Sequence, residues 1–168
     1  SFYGGSTQVH LGHGPAVDDI HARSVRAALL TGETLEITEP GESEDLGHDW
    51  LAPRALAEFG EREPTADWTW AGPQRRISGR TWGGCLEVLQ WILTAGRFTA
   101  PPDALDGGVL LVETSEELPP ATEVGRILRS FGERGLLGAV AAVLVARPPV
   151  TSFTDRPHAA ARERRRAE

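Results

Sequence analysis

The chain of 168 residues has no methionine, one cysteine and one tyrosine. Lysine and asparagine are also missing, so all 17 basic residues are arginine. Each absence removes a class of explanation. The single Cys85 excludes an internal disulfide, and no Cys/His spacing of a structural zinc site is present, which points to a reducing, cytoplasmic setting. No apolar run is long enough to span a bilayer, so no membrane role is expected. The lysine and asparagine gaps read as codon bias of a GC-rich genome. The missing methionine implies a sequence that begins inside a longer polypeptide, and Ser1-Phe2-Tyr3-Gly4-Gly5 reads as a strand entering a turn.

The composition that remains is that of an ordinary globular chain, 40% hydrophobic and 24% charged, and the length favours one domain with a real core. A net charge of −7 argues against a nucleic-acid partner, because phosphates need clustered cations. The acid is concentrated: residues 33–67 carry 11 acids against Arg54 and Arg62, while the rest of the chain holds 13 acids and 15 arginines. That segment reads as a solvated loop region.

Apolar spacing over 16–31, closed by Gly32, predicts a helix, and Thr-Leu-Glu-Ile-Thr at 34–38 alternates like a short strand. The stretch 39–66 reads as a long loop with one helical turn after Pro53. Residues 67–72 and 75–80 are strand-like pieces around Gly72-Pro73, which predicts a hairpin. Gly83-Gly84 then reads as a tight turn into a buried helix carrying Leu86, Leu89 and Leu93 on one face. The apolar runs 108–112 and 140–145 predict strands, the first covered on both faces, with a helix from Thr122 to Gly135 between them. Strand, helix and strand within so few residues form a βαβ crossover and give an α/β fold with two parallel neighbours. The Arg/Ala-rich residues 154–168 read as an exposed helical tail.

The strand 108–112 runs into Glu113-Thr114-Ser115-Glu116-Glu117, which places Glu113 where ligands gather in α/β sheets, beyond the carboxyl ends of the strands. Glu113 is therefore the first candidate for a catalytic acid. The structural alternative is a carboxylate capping a turn beside the hydroxyls of Thr114 and Ser115. Trp68 and Trp70 share a face if their stretch is extended; stacking on a sugar or nucleobase competes with core packing, which is favoured. The amides of Gly83 and Gly84 are candidates to receive an anion, against a turn that excludes any Cβ. Cys85 reads as a small buried hydrophobe rather than a thiolate activated by the helix dipole. His10, His13 and His21 with Asp18 and Asp19 match no established zinc pattern, and no metal is expected.

Taken together, Phe2-Tyr3-Gly4-Gly5, Trp82-Gly83-Gly84-Cys85-Leu86-Glu87, Leu110-Leu111-Val112-Glu113-Thr114-Ser115-Glu116-Glu117 and Val145-Ala146-Arg147-Pro148 resemble the LD-carboxypeptidase family of serine peptidases. That family holds the muramoyltetrapeptide carboxypeptidases and the microcin C self-immunity proteins, and the wording around Cys85 and Glu113 is closer to the second branch. The resemblance spans residues 1–153. It implies a swivelling β/β/α-type C-terminal domain, separated from a Rossmann-like N-terminal domain that carries the nucleophilic serine. It also implies that Glu113 is the triad glutamate, with no cofactor. The family's histidine context is absent, and His158 in Arg156-Pro157-His158-Ala159 does not match it.

The implied partners are the missing N-terminal domain of the same protein, a peptide or peptidyl-nucleotide substrate, and a second copy in a homodimer. The expected parent is a carboxypeptidase or amidase that cleaves an L,D-peptide bond of a murein peptide or the amide of a peptidyl-nucleotide antibiotic. This chain alone, with one triad member of three, is expected to be inactive. Two competing readings are a non-enzymatic module whose acidic segment 33–67 recruits a basic partner, and a glycosidase pairing Glu113 with Glu116 or Glu117.

Overall fold

A computed structural model describes residues 11–167 apart from His13, Phe98, Phe153 and Arg156. The opening Phe-Tyr-Gly-Gly segment, His10 and His13 lie outside the described residues. The chain divides into two compact units, Ser1–Ala71 with Ser152–Arg156, and Gly72–Thr151 with Pro157–Glu168.

The second unit carries the sheet. Strands β3 (Thr81–Cys85), β4 (Val109–Glu113) and β5 (Ala142–Val145) run parallel in the order β3-β4-β5. Parallel neighbours need crossovers, and α2 (Leu86–Ala95) and α3 (Ala121–Glu133), the latter followed by the short α4 (Leu136–Ala139), supply them. The expected βαβ unit is present, preceded by a second one, β3-α2-β4. Leu86, Leu89 and Leu93 of α2 and Ile127 and Phe131 of α3 recur at three- and four-residue offsets, so each helix turns one stripe inward. They meet Leu110 and Val112 of β4, with Leu105 and Leu136, in one buried cluster. Burying a side chain of this size fully is worth about 1.5–3 kcal/mol, so the cluster is what fixes the crossovers. Gly96, in the left-handed conformation, ends α2 while the Arg97 amide donates to the Ile92 carbonyl.

β4 was expected to be covered on both faces. Instead its burial alternates: Leu110 and Val112 are buried, whereas Leu111 is 37% exposed and Leu144 beside it on β5 is 44% exposed. The helices cover the even-numbered face of β4, and Leu111 and Glu113 lie on the other. The tail helix α5 (Ala159–Ala167) is clamped rather than merely exposed. Glu163 accepts from Arg147 and Arg166, and Arg165 and Arg166 donate to the carbonyls of Val150 and Pro148.

In the first unit α1 (Asp19–Val25) continues into a π-helical turn (Arg26–Thr31) closed by Gly32, as the spacing predicts. The helical turn after Pro53 is a 3₁₀ turn, Pro53–Leu56. Two expectations fail. Residues 34–38 form no strand, and Ile37 is 75% exposed, because alternation makes a strand only where a partner pairs with it and none of the described residues does. Residues 67–80 form no hairpin; that run has no regular structure and is largely exposed up to the start of β3. The ladder that does form, β1 (Glu42–Glu44) antiparallel to β2 (Arg62–Pro64), lies inside the presumed loop.

Candidate active site

β3 and β4 end side by side, with Cys85 and Glu113 as register partners at the carboxyl edge of the sheet. Glu113 is half-buried there, at the last position of β4 and on the face that the helices leave open. Its backbone is fixed by pairing with β3, while the adjacent Val112 carbonyl accepts from the Ala146 amide at the end of β5. Glu116 and Glu117 are exposed on the loop beyond.

The residue that organises this corner is Glu87, only 8% exposed in the first turn of α2. One carboxylate oxygen, Oε1, accepts from the Ser115 hydroxyl at 2.7 Å and the Ser115 amide at 3.0 Å, and Oε2 accepts from the Cys85 thiol at 3.2 Å. The Ser115 hydroxyl in turn accepts from the Glu117 amide at 3.2 Å, and the Leu118 amide donates to the Ser115 carbonyl at 3.2 Å. Leu118 closes that turn with φ +54°, a left-handed conformation uncommon for leucine.

Burial works to raise the Glu87 pKa, but the hydrogen bonds from Ser115, its own amide and Cys85 outweigh it and hold the carboxyl below its ordinary value. For Cys85, burial is the largest influence, and its bond to Glu87 adds to it; the thiol is pushed up despite the α2 amides nearby. In this position the thiol donates its hydrogen bond to the Glu87 carboxylate. Sequence reading passed over Glu87, because an acid in a helix's first turn has an ordinary explanation in the helix dipole. The only signal was a serine 28 positions away, and spacing alone does not join the two.

The other candidates fall elsewhere. Gly83 and Gly84 do not form a turn before α2; they lie within β3, paired with Leu111 and Val112, with φ of +148° and +145°. A Cβ at Gly83 would overlap the Leu111 carbonyl, so the excluded side chain, rather than an anion-binding turn, explains this glycine. The positive end of α2 already holds the chain's own Glu87 carboxylate. Trp68 and Trp70 are 43% and 75% exposed and meet edge to face, ring centres 6.1 Å apart, which overturns core packing as their role. Asp18 of the histidine-acid group pairs with Arg62 at 2.9 Å, and among the described residues no cluster of three potential ligands is arranged around a metal position. His158 is exposed, and its carbonyl accepts from the Ala161 and Arg162 amides at the start of α5. No helix among the described residues is long and apolar enough to cross a membrane.

The family model for the LD-carboxypeptidase C-terminal domain matches residues 78–167, the stretch from just before β3 to the end of α5. The chain belongs to the LD-carboxypeptidase family. Its α/β fold has a solved counterpart in an MccF-like protein from Streptococcus pneumoniae, whose structure is a complex with AMP. The two align with a TM-score of 0.66 at 22% identity, over 76% of this chain and 40% of that one. This LD-carboxypeptidase domain thus spans well under half the length of that relative. No curated protein matches the chain. The resemblance carried by the Gly-Gly-Cys-Leu-Glu and Glu-Thr-Ser-Glu segments is borne out at the level of family and fold.

Proposed function

We propose that this chain serves as the C-terminal domain of a serine-type carboxypeptidase or amidase, in which Glu113 is the triad acid. One observation carries the reading: a carboxylate fixed by its backbone at the carboxyl end of β4, on the open face of a parallel sheet, in a family of serine peptidases. There its task is to accept an imidazole N–H, select the histidine's tautomer, and stabilise the imidazolium formed when the histidine takes the serine proton. The serine and histidine come from polypeptide outside residues 1–168, the serine from a Rossmann-like N-terminal domain. By itself the chain supplies one group of three and is catalytically silent. The free thiol of Cys85 accords with a reducing, cytoplasmic location.

The substrate is a terminal amide, either an L,D-peptide bond of a murein peptide or the amide of a peptidyl nucleotide. The AMP bound by the Streptococcus pneumoniae relative favours the second. The test is Glu113→Gln in the full-length polypeptide, assayed on both amide classes. Turnover is expected to fall about 10⁴-fold, as when a triad acid becomes an amide. Undiminished turnover in a folded variant would remove the assignment.

A second reading, a binding module for a cationic partner, also has an observation behind it. The first unit holds a cavity of about 510 Å³ whose lining includes Asp19, Glu44, Asp45, His48 and Trp50, together with Arg62, which pairs there with Asp18 and Glu42. Salt-dependent binding of an Arg-rich peptide, insensitive to Glu113→Gln, would favour this module over the peptidase domain.

A further inference from the structure

Glu87 and Ser115 join α2 to the loop that follows Glu113, and nothing in the triad chemistry above uses them. The order of bonds gives them a task. Glu113 is held to Cys85 by the β3–β4 ladder; two residues further along each strand direction, Ser115 is held to Glu87. The thiol of Cys85 closes the same group by donating to Glu87. Glu113 itself and the residue two positions beyond it are therefore both tied to the three-residue stretch Cys85–Glu87, where β3 ends and α2 begins. The second contact ties the loop 114–118 back to the start of α2 just after it leaves the sheet.

We infer that Glu87 is a positioning residue for Glu113: its buried carboxylate, through Ser115, sets the direction in which β4 delivers the Glu113 side chain. The inference rests on the reading of Glu113 as the triad acid. Three features support it. A carboxylate this buried is costly unless satisfied, and both of its oxygens accept hydrogen bonds within the corner itself. The Ser115 hydroxyl acts in both directions, donating to Glu87 and accepting from the Glu117 amide, so the carboxylate's position is passed two residues further into the loop. The left-handed Leu118 is a conformation that persists only where its surroundings over-determine it, which this bonding does. Catalytic geometry depends on such support, because a misplacement of about 1 Å is enough to cost two orders of magnitude in rate.

The experiment has two arms. In the full-length polypeptide, Glu87→Gln and Ser115→Ala are assayed beside Glu113→Gln, on a tetrapeptide ending in an L,D-bond and on a peptidyl-nucleotide amide. The clamp predicts that kcat falls about 10- to 100-fold in each clamp variant, the scale for groups that orient a functional side chain from behind, with KM unchanged. Ser115→Thr, which restores the hydroxyl, recovers most of the loss. Full activity of both clamp variants, with Glu113→Gln inactive, overturns the clamp and leaves the triad reading standing. An active Glu113→Gln overturns both.

In residues 1–168 alone, three-bond couplings report the χ1 rotamer of Glu113 without any turnover. A single rotamer in the parent chain and averaged couplings in Glu87→Gln are expected. Unaltered couplings in a folded variant would refute the inference, since a merely stabilising role leaves the rotamer where it was. Ser115→Ala takes the place of Glu87→Gln in this arm should the latter fail to fold, because it deletes only the hydroxyl limb of the clamp.

Discussion

The two units of the chain rest on different interactions. In Gly72–Thr151, nine apolar residues from three helices, a strand and their connections form one buried cluster, and Leu110 and Phe131 have no exposed surface. In Ser1–Ala71, the only buried apolar residues among those described are Ala27 and Ala55, while Leu30, Leu51 and Leu56 are largely exposed. Polar contacts take over there. Arg62 pairs with Asp18 and Glu42 and lies 3.9 Å over the Phe59 ring, Glu44 accepts from the Gly60 amide, and Glu39 accepts from the Trp68 amide. The acids that looked like a solvated run are thus partly internal acceptors. Desolvation gives the second unit an ordered corner on which a carboxylate can be aimed, whereas bonds worth about 0.5–1.5 kcal/mol each hold the first.

That contrast is open to attack by substitution. The largest effect is expected from Phe131→Ala, which removes a fully buried ring and should cost the second unit about 3–5 kcal/mol in denaturant unfolding followed by amide exchange in α2 and α3. A loss under about 1 kcal/mol would mean that the apolar cluster is not what holds the sheet. Gly83→Ala comes next, at roughly 2–3 kcal/mol, because the added methyl meets the Leu111 carbonyl and the backbone φ is one that alanine resists. Its expected signature is lost protection along β3 before β5. Arg62→Ala should cost the first unit about 1 kcal/mol, discounted for partial exposure, and the loss should shrink in high salt; a salt-independent loss would point to the Phe59 contact instead.

The smallest effect is a slope. Since the folded state holds the Glu87 pKa below its unfolded value, the stabilisation is complete above the ordinary carboxylate range and disappears as pH falls through the lower folded value. Glu87→Gln should flatten the acid limb of stability against pH in the second unit, and an identical limb in the variant would show that Glu87 contributes no linkage.

The same contrast explains what was legible in the sequence. Leu86, Leu89 and Leu93, and Ile127 and Phe131, carry the helical period because burial against a common core imposes it, and the runs ending at Val112 and Val145 show their strands by apolar continuity and β-branched residues. The α/β class and the parallel βαβ crossover follow from them, while the family was carried by the wording of the Gly-Gly-Cys-Leu-Glu and Glu-Thr-Ser-Glu segments. β1 and β2 have three residues each and include Glu42, Glu44 and Arg62, so they carry no apolar period at all. Leu35 and Ile37, and the pieces around Gly72-Pro73, showed alternation or a turn signal where the described residues form no partner strand. At the candidate site, the position of Glu113 at a strand end was readable, since it depends on one element. Its neighbour Glu87 was not, since its meaning depends on a contact 28 residues distant that only folding creates.

The paired glycines of β3 constrain anyone who would alter this corner. Residue 83 has backbone carbonyl where a side chain would go, and residues 83 and 84 share a handedness that L-amino acids resist. Side chains therefore cannot be added at those two positions without moving the strand. Whatever diversity this corner accommodates has to enter from the loop after Glu113, from Cys85 onward, or from whatever faces the open side of the sheet.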